Sequence, residues 1–238
     1  MAKSALLKSS LAKKYWMALT GLFLCTFVAG HLAGNLQLFI PISDGARDQF
    51  NEYAYFMTHN PAIIVLSYLT YFSILFHAVD GILLWKQNKS ARPVGYRRFN
   101  GAANARWSSR NMALLGTILL VFIVVHMNMF WAEVKFGDLD STAYVTESGQ
   151  KVVDLYTLVI KTFQEGTLGM VWAVAYALSM LALGFHLSHG FASGFQSLGL
   201  NHPKYMPIIK KAGYVFAIVV SLGFAIIPFY VRFVLEKM

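Results

Sequence analysis

Apolar residues dominate five stretches of this chain, roughly 16–40, 61–85, 108–132, 168–193 and 212–235, and polar residues collect between them. Each stretch offers the ~20 mainly apolar residues that a helix needs to cross the hydrocarbon core of a bilayer. The pattern predicts an all-α integral membrane protein of five transmembrane helices, a single membrane domain over residues 1–238. Pro61 opens the second stretch, a position where the missing N–H costs little. Pro228 lies inside the fifth and predicts a kink there. The run after the basic N-terminus is long and lacks a small-residue cleavage site, so it reads as a retained span, not a signal peptide. Two of the connections carry helical periodicity. Phe50, Tyr53, Ala54 and Met57 recur at i, i+3, i+4, i+7, and Val153, Tyr156, Ile160 and Phe163 do so approximately. They predict amphipathic helices near 46–58 and 152–164 on the outer membrane face. Ordinary loop helices packed against the spans fit the same pattern.

Composition agrees with the apolar pattern. The chain is 57% hydrophobic and 13% charged, where soluble domains carry about 25% charged residues. The net charge of +9 does not point to nucleic acid, because the basic residues sit between apolar runs, where membrane topology accounts for them. The N-terminal tail has Lys3, Lys8, Lys13 and Lys14 with no acid, and the second connection has Lys86, Lys89, Arg92, Arg97, Arg98, Arg106 and Arg110 with none. The fourth adds Lys204, Lys210 and Lys211. The first holds Asp44, Asp48 and Glu52 against Arg47, and the third holds Glu133, Asp138, Asp140, Glu147, Asp154 and Glu165 against three lysines. Basic and acidic segments alternate. The positive-inside rule then predicts a cytoplasmic N-terminus and an outside C-terminus. The single cysteine, Cys25, excludes an intrachain disulfide and an iron–sulfur cluster held by this chain alone.

Histidines carry the candidate chemistry. His31, His77 and His126 lie on the first three spans, His186 and His189 on the fourth, and His59 and His202 in connections. A histidine inside a span is costly and is a functional candidate, although a helix-to-helix hydrogen bond also accounts for an isolated one. With a rise of about 1.5 Å per residue, His31 and His126 fall at about 22 and 27 Å from the cytoplasmic span ends, and His77 and His186 at about 12 and 11 Å. Each pair joins two parallel spans. Two bis-histidine pairs at two depths suit two stacked haems. The absence of Cys-x-x-Cys-His makes them b-type. A zinc site would cluster its ligands and usually add cysteine or carboxylate. A proton relay would more often alternate with acids or lysines, and only Asp80 lies inside a span. "FHAVDG" and "FHLSHG" share F-H-x-x-x-G, which puts Gly81 and Gly190 on the same helix face as His77 and His186. His31 lies between Gly30 and Gly34. Close helix packing through Gly-x-x-x-Gly accounts for these glycines equally well. His126 has no glycine after it. Between His186 and His189, the depth of His77 and the position of Gly190 favour His186 as the ligand and leave His189 beside it, bonding a propionate or an ordered water.

"MALTGLFLCTFVAGHLAGN", "FHAVDGILLW", "VVHMN" and "FHLSHGFASGFQSLG" together resemble the cytochrome b membrane subunit of succinate:quinone oxidoreductases and fumarate reductases, in its single-chain, five-span, two-haem form. The resemblance covers nearly the whole chain in span count, orientation and histidine placement. It implies an electron-transfer subunit of respiratory complex II in the bacterial cytoplasmic membrane, anchoring a flavoprotein and an iron–sulfur protein on the cytoplasmic face. It implies that His77 and His186 hold the iron of a proximal haem, and His31 and His126 that of a distal haem. It carries Gly190 and Gly199 over as the family's glycines at +4 and +13 from the fourth-span ligand. It further implies a quinone substrate, menaquinone in most two-haem relatives, reacting near an acid after the first span. Glu52 is the nearest acid, with Asn51, Tyr53 and His59 around it; a site near Ser9, Trp16 and Asp80 is the alternative. The chain has no flavin fingerprint and no cluster cysteines, so dicarboxylate chemistry would need the partners. The basic segment 86–110 offers a docking surface or a neutraliser of propionates, and also serves topology alone. Two other readings use the same histidines: a cytochrome b subunit of another quinone-linked dehydrogenase or hydrogenase, and a transporter with a histidine proton path.

Overall fold

A computed structural model describes residues 9–92, 94, 100–137 and 143–235. Lys3 and Lys8 of the basic tail, Arg97 and Arg98 of the second connection, and Asp138 and Asp140 of the third lie outside the described residues. Five long helices match the five apolar stretches: α1 (Ser10–Asn35), α3 (Pro61–Ser90), α4 (Met112–His126), α6 (Gly166–Ser197) and α7 (Met206–Phe233). Two shorter helices lie in the acidic connections, α2 (Ala46–His59) and α5 (Leu155–Gln164). A hairpin precedes α5, with β1 (Ala143–Val145) antiparallel to β2 (Lys151–Val153) in the register Ala143↔Val153. The chain is an all-α, multi-pass membrane protein by the length and apolarity of its five long helices.

Local chemistry sets the helix ends. The Asn60 side chain accepts from the backbone N–H of Ala62 at 3.0 Å, and Pro61 occupies the first helical position of α3, the combination that best satisfies a helix start. Gly199, at φ +84°, ends α6: its N–H bonds Gln196 O and that of Leu200 bonds Phe195 O. This double closure requires a left-handed residue, so the glycine thirteen residues after His186 is a helix stop. Helix α7 continues through Pro228 without a break in its assignment. Helix α4 passes directly into a π-helical stretch, Met127–Ala132, and then one more α-turn to Phe136.

The chain forms two compact units, and all five long helices contribute to both. The first comprises residues 1–27, 69–119 and 182–219. Leu115, Leu119 and Ala182 form a buried cluster there with Met112 and Leu183 packed on it. Bare glycine surfaces admit close neighbours: a Cβ on Gly194 would lie 3.0 Å from Leu22, and one on Gly213 would lie 2.8 Å from Phe191. The second unit comprises residues 28–68, 120–181 and 220–238. Its core includes Leu38, Phe50, Tyr156, Ile160, Phe163 and Val231, all buried.

Long rows of α3 face outward, including Val65, Tyr68, Phe72, Leu75 and Phe76, all exposed. In water such a surface would drive association; lipid removes the penalty. In the second unit α2 and α5 are tied by polar contacts instead. Arg47 Nε donates to Asp154 Oδ2 at 3.1 Å, Asn51 Nδ2 donates to Asp154 Oδ1 at 2.8 Å, and the backbone N–H of Tyr156 donates to Asn51 Oδ1 at 2.9 Å. Asp154 also caps α5 through the N–H of Thr157. Burial alone would push the Asp154 carboxyl up, but hydrogen bonds from Arg47, Thr157 and Asn51 outweigh it and hold it below the usual carboxylate range.

Candidate functional site

The four spanning histidines close into two pairs, one in each unit. In the first unit His77 of α3 faces His186 of α6 with ring centres 6.0 Å apart and ring planes at 66°. In the second unit His31 of α1 faces His126 of α4 with centres 5.8 Å apart and planes at 81°. Two imidazoles bound head-on to one metal at about 2 Å per bond would have ring centres roughly 6 Å apart. Among the described residues no three His, Cys, Asp or Glu side chains gather to hold a metal, which leaves the cooperative three- or four-ligand zinc geometry without a donor set.

Neighbours from other helices hold one ring of each pair. Thr20 Oγ1 on α1 lies 3.3 Å from His77 Nδ1 and donates its own proton to Trp16 O at 2.7 Å. Its oxygen is free to accept from His77, as the Met17 backbone carbonyl also does; in the tautomer with the proton on Nδ1, Nε2 keeps the lone pair. The next residue, Gly21, leaves room for the ring: an added Cβ would lie 3.0 Å from His77 Cε1. In the second unit Tyr176 Oη on α6 lies 3.1 Å from His126 Nδ1 and donates toward Met129 Sδ at 3.8 Å. The Tyr176 hydroxyl and His126 Nδ1 are hydrogen-bonded, with Nδ1 the donor in the tautomer whose Nε2 keeps the lone pair. Met129 belongs to the π-helical stretch that starts immediately after His126; such insertions are frequent at functional sites. Phe122 and Phe163 stand edge-on to the Tyr176 ring at 4.9 and 5.1 Å.

Space and an orphaned atom mark the His186 side. The Nδ1 of His186 is buried without a hydrogen-bond partner. Such a group in a native interior calls for an explanation. An added Cβ at Gly190 would meet nothing within 4 Å, and one at Gly116 would lie 3.9 Å from His186 Cε1. The open flank at Gly190 and the bare backbone at Gly116 leave the ring uncrowded. His31 rests on Phe224 of α7 at 5.5 Å. Imidazole pairs are a donor set suited to haem iron; one carboxylate, Asp80, interacts electrostatically with His77.

The remaining predicted residues divide. Gly81 flanks His77 less openly, since a Cβ there would meet Met17 Cε at 3.4 Å. Gly34 is buried against Tyr53, whose ring an added Cβ would meet at 2.7 Å; its bare backbone seats that tyrosine. His189 is half-buried; it interacts electrostatically with His186 and Arg106, and Arg106 stacks on Tyr214 at 5.2 Å. Of the quinone candidates, Asn51 is fully buried with both ends of its amide engaged. Glu52 accepts from Ser148, and exposed His59 stacks on Tyr55 at 3.8 Å. These side chains face different partners.

Thr20, Gly21, Gly116, Tyr176 and Met129 did not emerge from the sequence. The available signal was a hydroxyl within an otherwise apolar stretch, shared by Thr26, Thr70, Thr117 and several serines. Against family descriptions, curated proteins and solved structures the chain gives no significant match.

Proposed function

We propose that this chain is the dihaem cytochrome b anchor of a succinate:quinone oxidoreductase or fumarate reductase, carrying electrons between an iron–sulfur subunit and a membrane quinone. One observation carries the reading: four helices supply one histidine each, and these meet as two pairs, His77 with His186 and His31 with His126, at 6.0 and 5.8 Å. The sequence resemblance supplies the enzyme class; the donor set, the open flank at Gly190 and the orphaned His186 nitrogen agree with it. His77 and His186 would hold the proximal b haem, and His31 and His126 the distal one. Bound there, haem supplies reversible one-electron transfer. The chain's own part is to present Nε2 lone pairs in an apolar setting, with Thr20 and Tyr176 fixing two of the rings. A flavoprotein and an iron–sulfur protein would dock on the cytoplasmic face of a bacterial inner membrane, with this chain's N-terminus on that side. Glu52 is the quinone-side acid of this reading, and its neighbour Asn51 is engaged by Asp154 and Tyr156; menaquinone is the quinone the resemblance implies.

The test is a haem count on purified protein. The wild type should give two b haems per chain in a reduced pyridine spectrum. His77→Ala and His186→Ala should each leave one, the same one, and His31→Ala and His126→Ala the other. A folded, haem-free wild type would sink the reading. A co-purifying metal hydrogenase in place of a succinate-reactive flavoprotein would move the chain to another quinone-linked enzyme.

A further inference from the structure

In each histidine pair, a hydroxyl from a helix outside the pair stands beside the Nδ1 of one ring. Thr20 comes from α1, while its pair sits on α3 and α6. Tyr176 comes from α6, while its pair sits on α1 and α4. The Thr20 hydroxyl proton is engaged by Trp16 O at 2.7 Å, and the Tyr176 hydroxyl points toward Met129 Sδ, a weak acceptor, at 3.8 Å; with iron on Nε2, Nδ1 carries the proton and each hydroxyl oxygen accepts it. In both cases the hydroxyl oxygen faces Nδ1, at 3.3 and 3.1 Å. Two different side chains thus reach the same arrangement on two helix trios that share α1 and α6. We infer that Thr20 and Tyr176 are positioning residues that orient His77 and His126 and, with iron on Nε2, set the electron-donor strength of each ring.

The physical argument has two steps. A hydrogen bond from Nδ1–H to an oxygen orients an imidazole and raises its basicity as a ligand. A more basic ligand stabilises the oxidised, more positively charged metal, so the bond lowers the reduction potential. His186 Nδ1 has no acceptor at all, so the donor strength of the first unit's pair is concentrated on His77. Tyr176 is 8% exposed and walled by Phe122, Phe130 and Phe163. Water therefore cannot easily replace its oxygen. Thr20, 9% exposed, is nearly as dry.

The inference rests on the dihaem reading, and the experiment separates the two. Haem content of the wild type is measured first; zero haem refutes the cytochrome reading itself. With two haems present, redox titrations are run on Tyr176→Phe, Thr20→Val and Thr20→Ser in the intact complex. Tyr176→Phe should keep two haems and raise one midpoint potential. Thr20→Val should raise the other. Thr20→Ser, which keeps the oxygen, should match the wild type. The expected size is about a tenfold change in the oxidised-to-reduced ratio, or about 59 mV for one electron. Unchanged potentials in both Tyr176→Phe and Thr20→Val would overturn the inference and leave both residues as packing. So would one variant shifting both potentials equally. If Tyr176→Phe loses its haem, the threonine series decides: a shift in Thr20→Val rescued in Thr20→Ser supports the role, and equal potentials in all three refute it.

Discussion

His189 follows His186 by three residues, and only one of them meets a second histidine. His186 faces His77 across 6.0 Å, whereas His189 has Arg106 as its electrostatic neighbour. Substituting His189 by Ala should therefore leave two haems per chain, and substituting His186 should leave one; pyridine spectra of both variants check this. Loss of a haem from the His189 variant alone would reverse the assignment. Gly21 gives a steric counterpart. A Cβ there would press His77 Cε1 at 3.0 Å, so Gly21→Leu should weaken retention of the haem held by His77 while His31 and His126 keep theirs. The histidines were legible because their residue type stands out in an apolar run. The hydroxyls that hold them were not, because spans contain many hydroxyls that merely bond their own helix, as Thr117 does to Ala113 O.

At the scale of elements, hydropathy marked where each helix crosses lipid, not where it ends. Helix α1 begins at Ser10 and α3 runs to Ser90, past the apolar stretches that end near 16 and 85. Lysines and serines outside the hydrocarbon still favour or tolerate helix. The predicted amphipathic helix at 46–58 is α2 almost residue for residue; that at 152–164 loses its first residues to β2 and starts at Leu155. The turn at Ser148–Gly149, with Gly149 at φ +81°, was a usable hairpin signal. The π-helical stretch after His126 had none, since an inserted backbone turn leaves no hydropathy trace. The α2–α5 tie makes its own prediction. Asp154 has a carboxyl pKa held below its unfolded value, near 3.9 for a free aspartate. Its contribution is complete above that unfolded value and is lost as pH falls through the folded one. Relative to their intrinsic rates, amides at the start of α5 should exchange hydrogen faster at pH 3 than at pH 6. Asp154→Ala should loosen the same segment at pH 6, at a cost of about 1–3 kcal/mol for the unpaired donors it leaves. Exchange rates that ignore both changes would remove Asp154 from the tie. The Arg47 side of the contact is 37% exposed and adds less, because water screens it.

For the whole molecule, the orientation proposed from the charge pattern puts His77 and His186 about 12 and 11 Å along their spans from the cytoplasmic ends, and His31 and His126 about 22 and 27 Å along theirs. If electrons enter from a cytoplasmic iron–sulfur partner and quinone reacts beside the second pair, each electron crosses part of the membrane's electric field. Full transfer of one charge is worth about 2.3 kcal/mol per 100 mV, so crossing a third to a half of the field costs or gains about 1 kcal/mol at 100 mV. That is a several-fold change in the equilibrium between succinate and quinone couples, large enough to measure. Proteoliposomes holding the intact complex should show succinate–quinone turnover that changes with an imposed potassium-diffusion potential and reverses its trend when the potential is inverted. Glu52→Gln should lower quinone turnover at every potential while leaving both haems in place, since the carboxylate serves the proton and not the iron. Turnover indifferent to potential, with an inhibitor bound near Trp16 and Asp80, would put the quinone on the cytoplasmic side and make the His31–His126 pair a store for electrons and not a passage.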